Sequence, residues 1–201
     1  MKNQKISDII ERMKTLEQEL QAELDKASDK FRYRLEDHKV RFERDILAQQ
    51  KKFKENLARY ILTARPKHLL TAPIIYAVAV PLLLLDLMVT LYQWICFPVY
   101  GIPKVKRSDF LVFDRHHLAY LNLLEKFNCF YCSYANGLLP YFREIVGRTE
   151  QYWCPIKHAR KLVSLHSRYE HFAEFGDAEG YRQNLENIRR EFETDEKPLT
   201  K

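Results

Sequence analysis

The residue types best equipped for chemistry gather in one part of the chain. Asn128-Cys-Phe-Tyr-Cys132 is followed, after 21 residues, by Cys154-Pro-Ile-Lys-His158, which reads as Cys-x2-Cys, a spacer, then Cys-x3-His. Thiolates three apart can converge on one ion. A cysteine just ahead of a helix with a histidine four positions on places the second pair on one side of the first turn. Cys129, Cys132, Cys154 and His158 would close a tetrahedral shell. A filled Cys3His shell suits a redox-inert structural ion, so zinc is expected, with iron or an iron–sulfur cluster as the alternative. Two other readings fit the same residues. Free cysteines can be buried in an aromatic core beside a histidine that satisfies a polar need. Cys129 and Cys132 can also form a cycling dithiol if one thiolate has a lowered pKa. No strand pattern precedes the pair, which weakens the dithiol reading, and Ser133 after Cys132 disfavours covalent haem.

A looser set comprises Asp114-Arg115-His116-His117, Glu125, Glu144 and Glu150. A di-iron bundle would need Glu-x2-His pairs, which are missing, so capping and helix-surface charge explain these residues more simply. Arg148, Lys157 and Arg160 surround the cysteines in sequence and suit bonds to thiolates, while His166 and His171 read as core or surface histidines. No phosphate-binding glycine loop, Gly-x-Ser-x-Gly or His-Glu-x2-His is present, and five glycines leave little room for one. Enzymatic activity is therefore not supported by the common motifs. The catalytic alternative is a membrane-bound iron or dithiol electron carrier using the same cysteines, with a quinone near Asp86, Tyr92 and Trp94.

These residues depend on elements of very different character. The 201 residues carry 33 Lys+Arg and 27 Asp+Glu, a formal net charge of +6, with 46% apolar residues and 13% aromatics. That composition excludes a disordered tail, a collagen or a loop-rich disulfide scaffold. Residues 69 to 103 nevertheless contain a single charged side chain, Asp86. The chain divides accordingly into a helix over 1–65, an apolar membrane-inserted segment over 66–103, a helical Cys/His domain over 104–192 and a flexible tail over 193–201.

In the first segment, apolar or weakly polar positions recur at steps of four, four and three, from Leu16 through Leu20, Leu24, Ala27, Phe31, Leu35, His38 and Phe42 to Tyr60. An eleven-residue repeat holds its stripe nearly fixed on a straight helix. With no Gly or Pro before Pro66, residues 5 to 62 are expected to form one coiled-coil-like helix, about 85 Å long. Such a helix needs a partner, either a second copy or another protein. Its interleaved charges speak against nucleic acid.

A largely apolar stretch of thirty-five positions is too long for one simple crossing and too short for two. Pro81 and Asp86 lie near the middle, where a carboxylate costs about 2.5–3.5 kcal/mol at the bilayer centre. Asp86 thus marks a turn, a functional charge or a contact with a basic residue on another chain. Arg59, Arg65 and Lys67 precede the stretch, Lys104, Lys106 and Arg107 follow it, and no other acid lies between Glu55 and Asp109. Both ends therefore read as cytoplasmic, favouring a re-entrant hairpin over a single kinked helix or burial in a larger complex. No secretory signal is evident before residue 69, which also puts the N-terminus in the cytoplasm.

Beyond residue 104 the pattern predicts several short helices. One carries Leu118, Leu121 and Leu124 and turns at Asn136-Gly137. A second carries Leu138 to Val146, a third is opened by Cys154-Pro155, and a last amphipathic helix runs from Tyr181 to Phe192. The expected whole is an all-α protein on the inner or cytoplasmic face of a membrane. It is anchored in lipid, stapled by metal and engaged in assembly through helix–helix contacts.

Overall fold

The computed structural model describes residues 2–31, 33–36, 39–162 and 165–192. The expected flexible tail over 193–201 lies outside the described residues. The chain is mostly helical and falls into two compact units: residues 1–63 with 114–127, and residues 64–113 with 128–201.

In the first unit, α1 (Lys2–Phe31) carries the N-terminal part of the expected stripe, and Leu16, Leu20, Leu24 and Phe31 stand exposed along it. The helix does not continue to residue 62. It gives way to an antiparallel pair, β1 (Tyr33–Glu36) and β2 (Lys39–Phe42), with Tyr33 opposite Phe42 and Leu35 opposite Val40. Tyr33-x-Leu35 and Val40-x-Phe42 alternate with period two, and β-branched and aromatic residues favour the extended chain. The Tyr33 and Phe42 rings meet at 5.8 Å. Helices α2 (Arg44–Lys52) and α3 (Leu57–Leu62) follow, the latter capped by Asn56, whose side chain accepts the Ala58 N–H at 2.9 Å. Gln50 accepts the Ala119 N–H at 3.1 Å, tying residues 114–127 into this unit.

The second unit is built on two long helical pieces that run in the same direction. Pro66 opens α4 (Pro66–Ala77), and α5 (Ala79–Tyr100) follows without reversal. Val78 keeps helical dihedrals (φ −63°, ψ −20°), and the Leu82 N–H still reaches Val78 O. Pro81 removes one N–H from that turn, so the local irregularity has a chemical cause. The apolar segment is therefore a kinked rod, and the hairpin expected from charge at both ends is not formed. Gly101, at φ +68°, ends the rod in the left-handed conformation, and the Ile102 N–H returns to Phe97 O at 2.9 Å.

The second piece, α6 (Leu123–Trp153), is continuous through Asn136-Gly137 and Pro140, where two helices had been expected. It starts at a capping box: the Glu125 N–H donates to Asn122 Oδ1 at 3.0 Å, and the Asn122 N–H donates to Glu125 Oε2 at 2.8 Å. Parallel alignment with the rod is fixed by Tyr76 on Asn128, Gln93 on Tyr141 at 2.6 Å, Tyr92 on Thr149 at 3.0 Å and the Tyr100–Tyr152 ring contact. Parallel helices need a connection that travels back along them. Residues 101–113 make this journey as irregular chain with a 3-10 turn over Arg107–Asp109, and Ile102, Val105 and Leu111 from it join Phe97, Leu138, Tyr141, Ile145 and Phe192 in the core. Burying each of these side chains contributes roughly 1.5–3 kcal/mol.

After Cys154 the chain is irregular, with a bridge between Ile156 and Ala173, a 3-10 turn over Ser167–His171 and α7 (Ala178–Arg190). The expected third helix is absent among the described residues of 154–166.

Gly137 sits where the return segment comes closest to α6. A Cβ there would lie 2.6 Å from Phe110 O and 3.0 Å from Leu111 Cα, both backbone atoms. Gly137→Ala should therefore cost roughly 1–3 kcal/mol despite the better helix propensity of alanine. Chemical denaturation checks this, and a stabilised variant would contradict the packing.

Candidate functional site

The four proposed metal ligands occupy separated places. Cys129, half-buried, and Cys132, exposed, lie near the start of α6, and Cys154 follows its end, with its N–H bonded to Glu150 O at 2.8 Å. Twenty-five residues of helix put Cys129 and Cys154 about 37 Å apart. The spacing expectation required a chain reversal at Asn136-Gly137, and the uninterrupted helix removes it. His158 is exposed, its backbone N–H donates to the Tyr169 hydroxyl at 2.6 Å, and its ring stacks on Tyr169. Burial, with the Glu150 carboxylate, pushes the Cys154 thiol up, away from the thiolate that a metal or a nucleophile needs. Among the described residues no three His, Cys, Asp or Glu side chains are placed to share an ion. The described residues therefore give no support to the Cys3His staple, for zinc or for iron.

The looser set is taken up by structure. Glu125 belongs to the capping box. Glu144 receives Arg148 and Arg168, each at 3.0 Å. Burial pushes the Glu144 carboxyl up, but the two guanidiniums outweigh it and hold the group below its ordinary range. His166 Nε2 lies 3.1 Å from Glu150, and its ring fills the space left by Gly147. The His116 and His117 rings lie 3.8 Å apart, and burial together with His116 lowers the His117 pKa.

Asp86 is where sequence and structure meet most directly. Its partner is within the chain: Arg107, on the return segment, grips both carboxylate oxygens, with Nη2–Oδ2 at 2.6 Å. The Tyr134 hydroxyl donates to Oδ2 at 2.8 Å and Thr90 to Oδ1 at 3.3 Å. A planar guanidinium matches a carboxylate in this two-pronged way, which orients as well as neutralises it. Burial and Asp86 push the Tyr134 pKa up to about 12, so the phenol remains a donor. Seven residues on, Gln93 is enclosed. It accepts the Val105 N–H at 2.7 Å and donates to the Tyr141 hydroxyl at 2.6 Å. One face of the rod is thus a polar seam holding the return segment.

The other face is apolar and uncovered. Leu84, Leu87, Met88, Leu91, Ile95 and Val99 are exposed at helical spacing, and Trp94 stands 65% exposed among them. The span Pro66–Tyr100, 35 residues, is the one helix among those described that is long and apolar enough to cross a membrane, and only 6% of its most apolar stretch is buried within the protein. Soluble proteins rarely expose a continuous apolar surface on this scale. Sequence reasoning found the stretch but missed Arg107 as the partner of Asp86. Their separation by 21 positions carried no local signal.

Compared with known proteins, the chain matches no family model, no curated protein and no solved structure.

Two outcomes follow for variants. Cys154→Ser should leave stability within about 0.5 kcal/mol, as for other surface changes, and added zinc should not shift the melting temperature. Loss of folding would restore the staple. A double-mutant cycle on Asp86→Asn and Arg107→Met should give a coupling of about 1 kcal/mol or more, because removing one partner strands the other. Strict additivity would contradict the pairing.

Proposed function

We propose that this protein is a membrane-anchored assembly factor whose rod over 66–100 binds lipid and whose N-terminal unit recruits a partner through helix–helix contact. The supporting observation is the rod's uncovered apolar face. In water, that area would drive aggregation. In a bilayer it drives insertion, at roughly 25 cal/mol for each Å² removed from water. The basic residues Arg59, Arg65 and Lys67 around the start of the rod, with Lys104 and Lys106 on the segment that packs back beside it, add attraction to anionic headgroups on the cytoplasmic face.

The recruiting surface in this reading is α1. Leu16, Leu20 and Leu24 are more than half or close to half exposed, and Phe31 continues their side of the helix. An apolar stripe on a charged helix is the usual substrate for pairing with a second helix, whether from another copy or from a different protein. The proposed function rests on two apolar surfaces in separate units of one chain.

The test is a double substitution on the outer face, Leu87→Lys with Leu91→Lys. Both side chains are exposed and outside the core, so helicity and thermal unfolding should be retained. Partition into vesicles should fall by about tenfold or more, given the cost of placing lysine in hydrocarbon. Unchanged partition with an intact fold would reject the anchor.

A further inference from the structure

An exposed apolar helix can cross a bilayer or lie in one leaflet, and the return segment distinguishes the two. Lys104, Lys106, Arg107, Ser108 and Asp109 are exposed on it. Their level along the rod is fixed by two contacts: the Val105 N–H on Gln93, and Arg107 on Asp86. Asp86 is the midpoint of the 69–103 apolar stretch. A rod crossing about that midpoint would therefore carry Arg107 and the 3-10 turn over Arg107–Asp109 to the centre of the hydrocarbon, and Lys104 and Lys106 to within about 10 Å of it, beside Gln93. Backbone that is not helical is tolerated at that depth only when protein or a water-filled cavity covers it. Here Ile102 and Val105 are buried against protein, while Lys104 and residues 106–109 face solvent.

We propose that the rod lies in the plane of one anionic leaflet, with Leu84, Leu87, Met88, Leu91 and Ile95 turned into the acyl chains and the return segment turned to water. This deepens the membrane-anchor reading and rests on it. The chemistry is that of an interfacial helix, apolar on one side and charged on the other, except that the charged side is supplied by a separate stretch of chain packed against it. Trp94 and Tyr100 suit the boundary, where an aromatic ring meets lipid and water together. Lys104 and Lys106 sit beside the rod at headgroup level and select for an acidic surface. Residues on both sides of the rod remain on the same side of the membrane without any reversal of the helix.

The experiment uses the full chain, added to sealed phosphatidylcholine vesicles with or without phosphatidylserine and separated by flotation. Vesicle-bound protein is treated from outside with a membrane-impermeant amine reagent, and modified lysines are mapped by mass spectrometry. In-plane insertion predicts that Lys104 and Lys106 react as fully as Lys51 and Lys52, and that phosphatidylserine raises partition by about tenfold or more. Protection of either lysine pair until detergent is added means a crossing: it overturns the in-plane arrangement and leaves the anchor standing. Equal partition into both lipids overturns the anionic preference. A chain that stays unbound as a dimer or larger assembly puts a second copy on the apolar face and overturns the anchor as well.

Discussion

The second unit depends on the contact between its return segment and the two parallel helices. Adjacent helices joined by short loops run antiparallel, so a parallel pair is possible only if the intervening chain retraces its length. Irregular chain in a core brings unpaired backbone groups, which must find partners or cost several kcal/mol. Gln93 meets this need for Val105, taking its N–H while donating to Tyr141. Arg148 donates to Pro103 O at 2.7 Å, and Arg107 reaches Asp86. Apolar residues on the same segment, Ile102, Val105 and Leu111, then complete the core.

This arrangement changes what the charged residue in the apolar stretch is for. A lone charge in a stretch of thirty-five positions reads as a turn, a functional charge or a contact for a partner. With Arg107, Tyr134 and Thr90 around it, Asp86 acts as a positioning residue that fixes the register of the return segment. The pair also keeps Arg107 beside the Tyr141 ring, 5.9 Å from its centre. Polarity is thereby confined to one side of the rod, and the opposite side is left uniformly apolar.

The sequence made some of this legible and concealed the rest for identifiable reasons. The apolar stretch, its start at Pro66 and the mostly helical character could be read from composition and periodicity. The antiparallel pair of β1 and β2 could not, because Leu35 and Phe42 fit an eleven-residue helical stripe as well as a period-two alternation, and short segments satisfy both. Asn136-Gly137 resembled a helix end, whereas Gly137 is a point of close approach to Phe110 and Leu111. The metal reading came from the Cys-x2-Cys and Cys-x3-His spacing, and spacing along the chain does not report that one unbroken helix separates Cys132 from Cys154. The capping box at Asn122 and Glu125 did carry a local signal, an Asn followed three residues later by Glu, and it marks the true start of α6. The Asp86–Arg107 pair has no such signal, because it joins residues brought together only by the return of the chain.

The proposed function rests on one surface in each unit, an apolar rod edge in one and an exposed leucine stripe in the other. The most direct test of the central claim, that the rod's outer face meets lipid, is the fluorescence of Trp94 in the otherwise intact chain carrying Trp153→Phe. On addition of vesicles its emission should shift to the blue and be quenched by bromine attached to the acyl chains. Emission that stays at the water-exposed position, unquenched at saturating lipid, would contradict it.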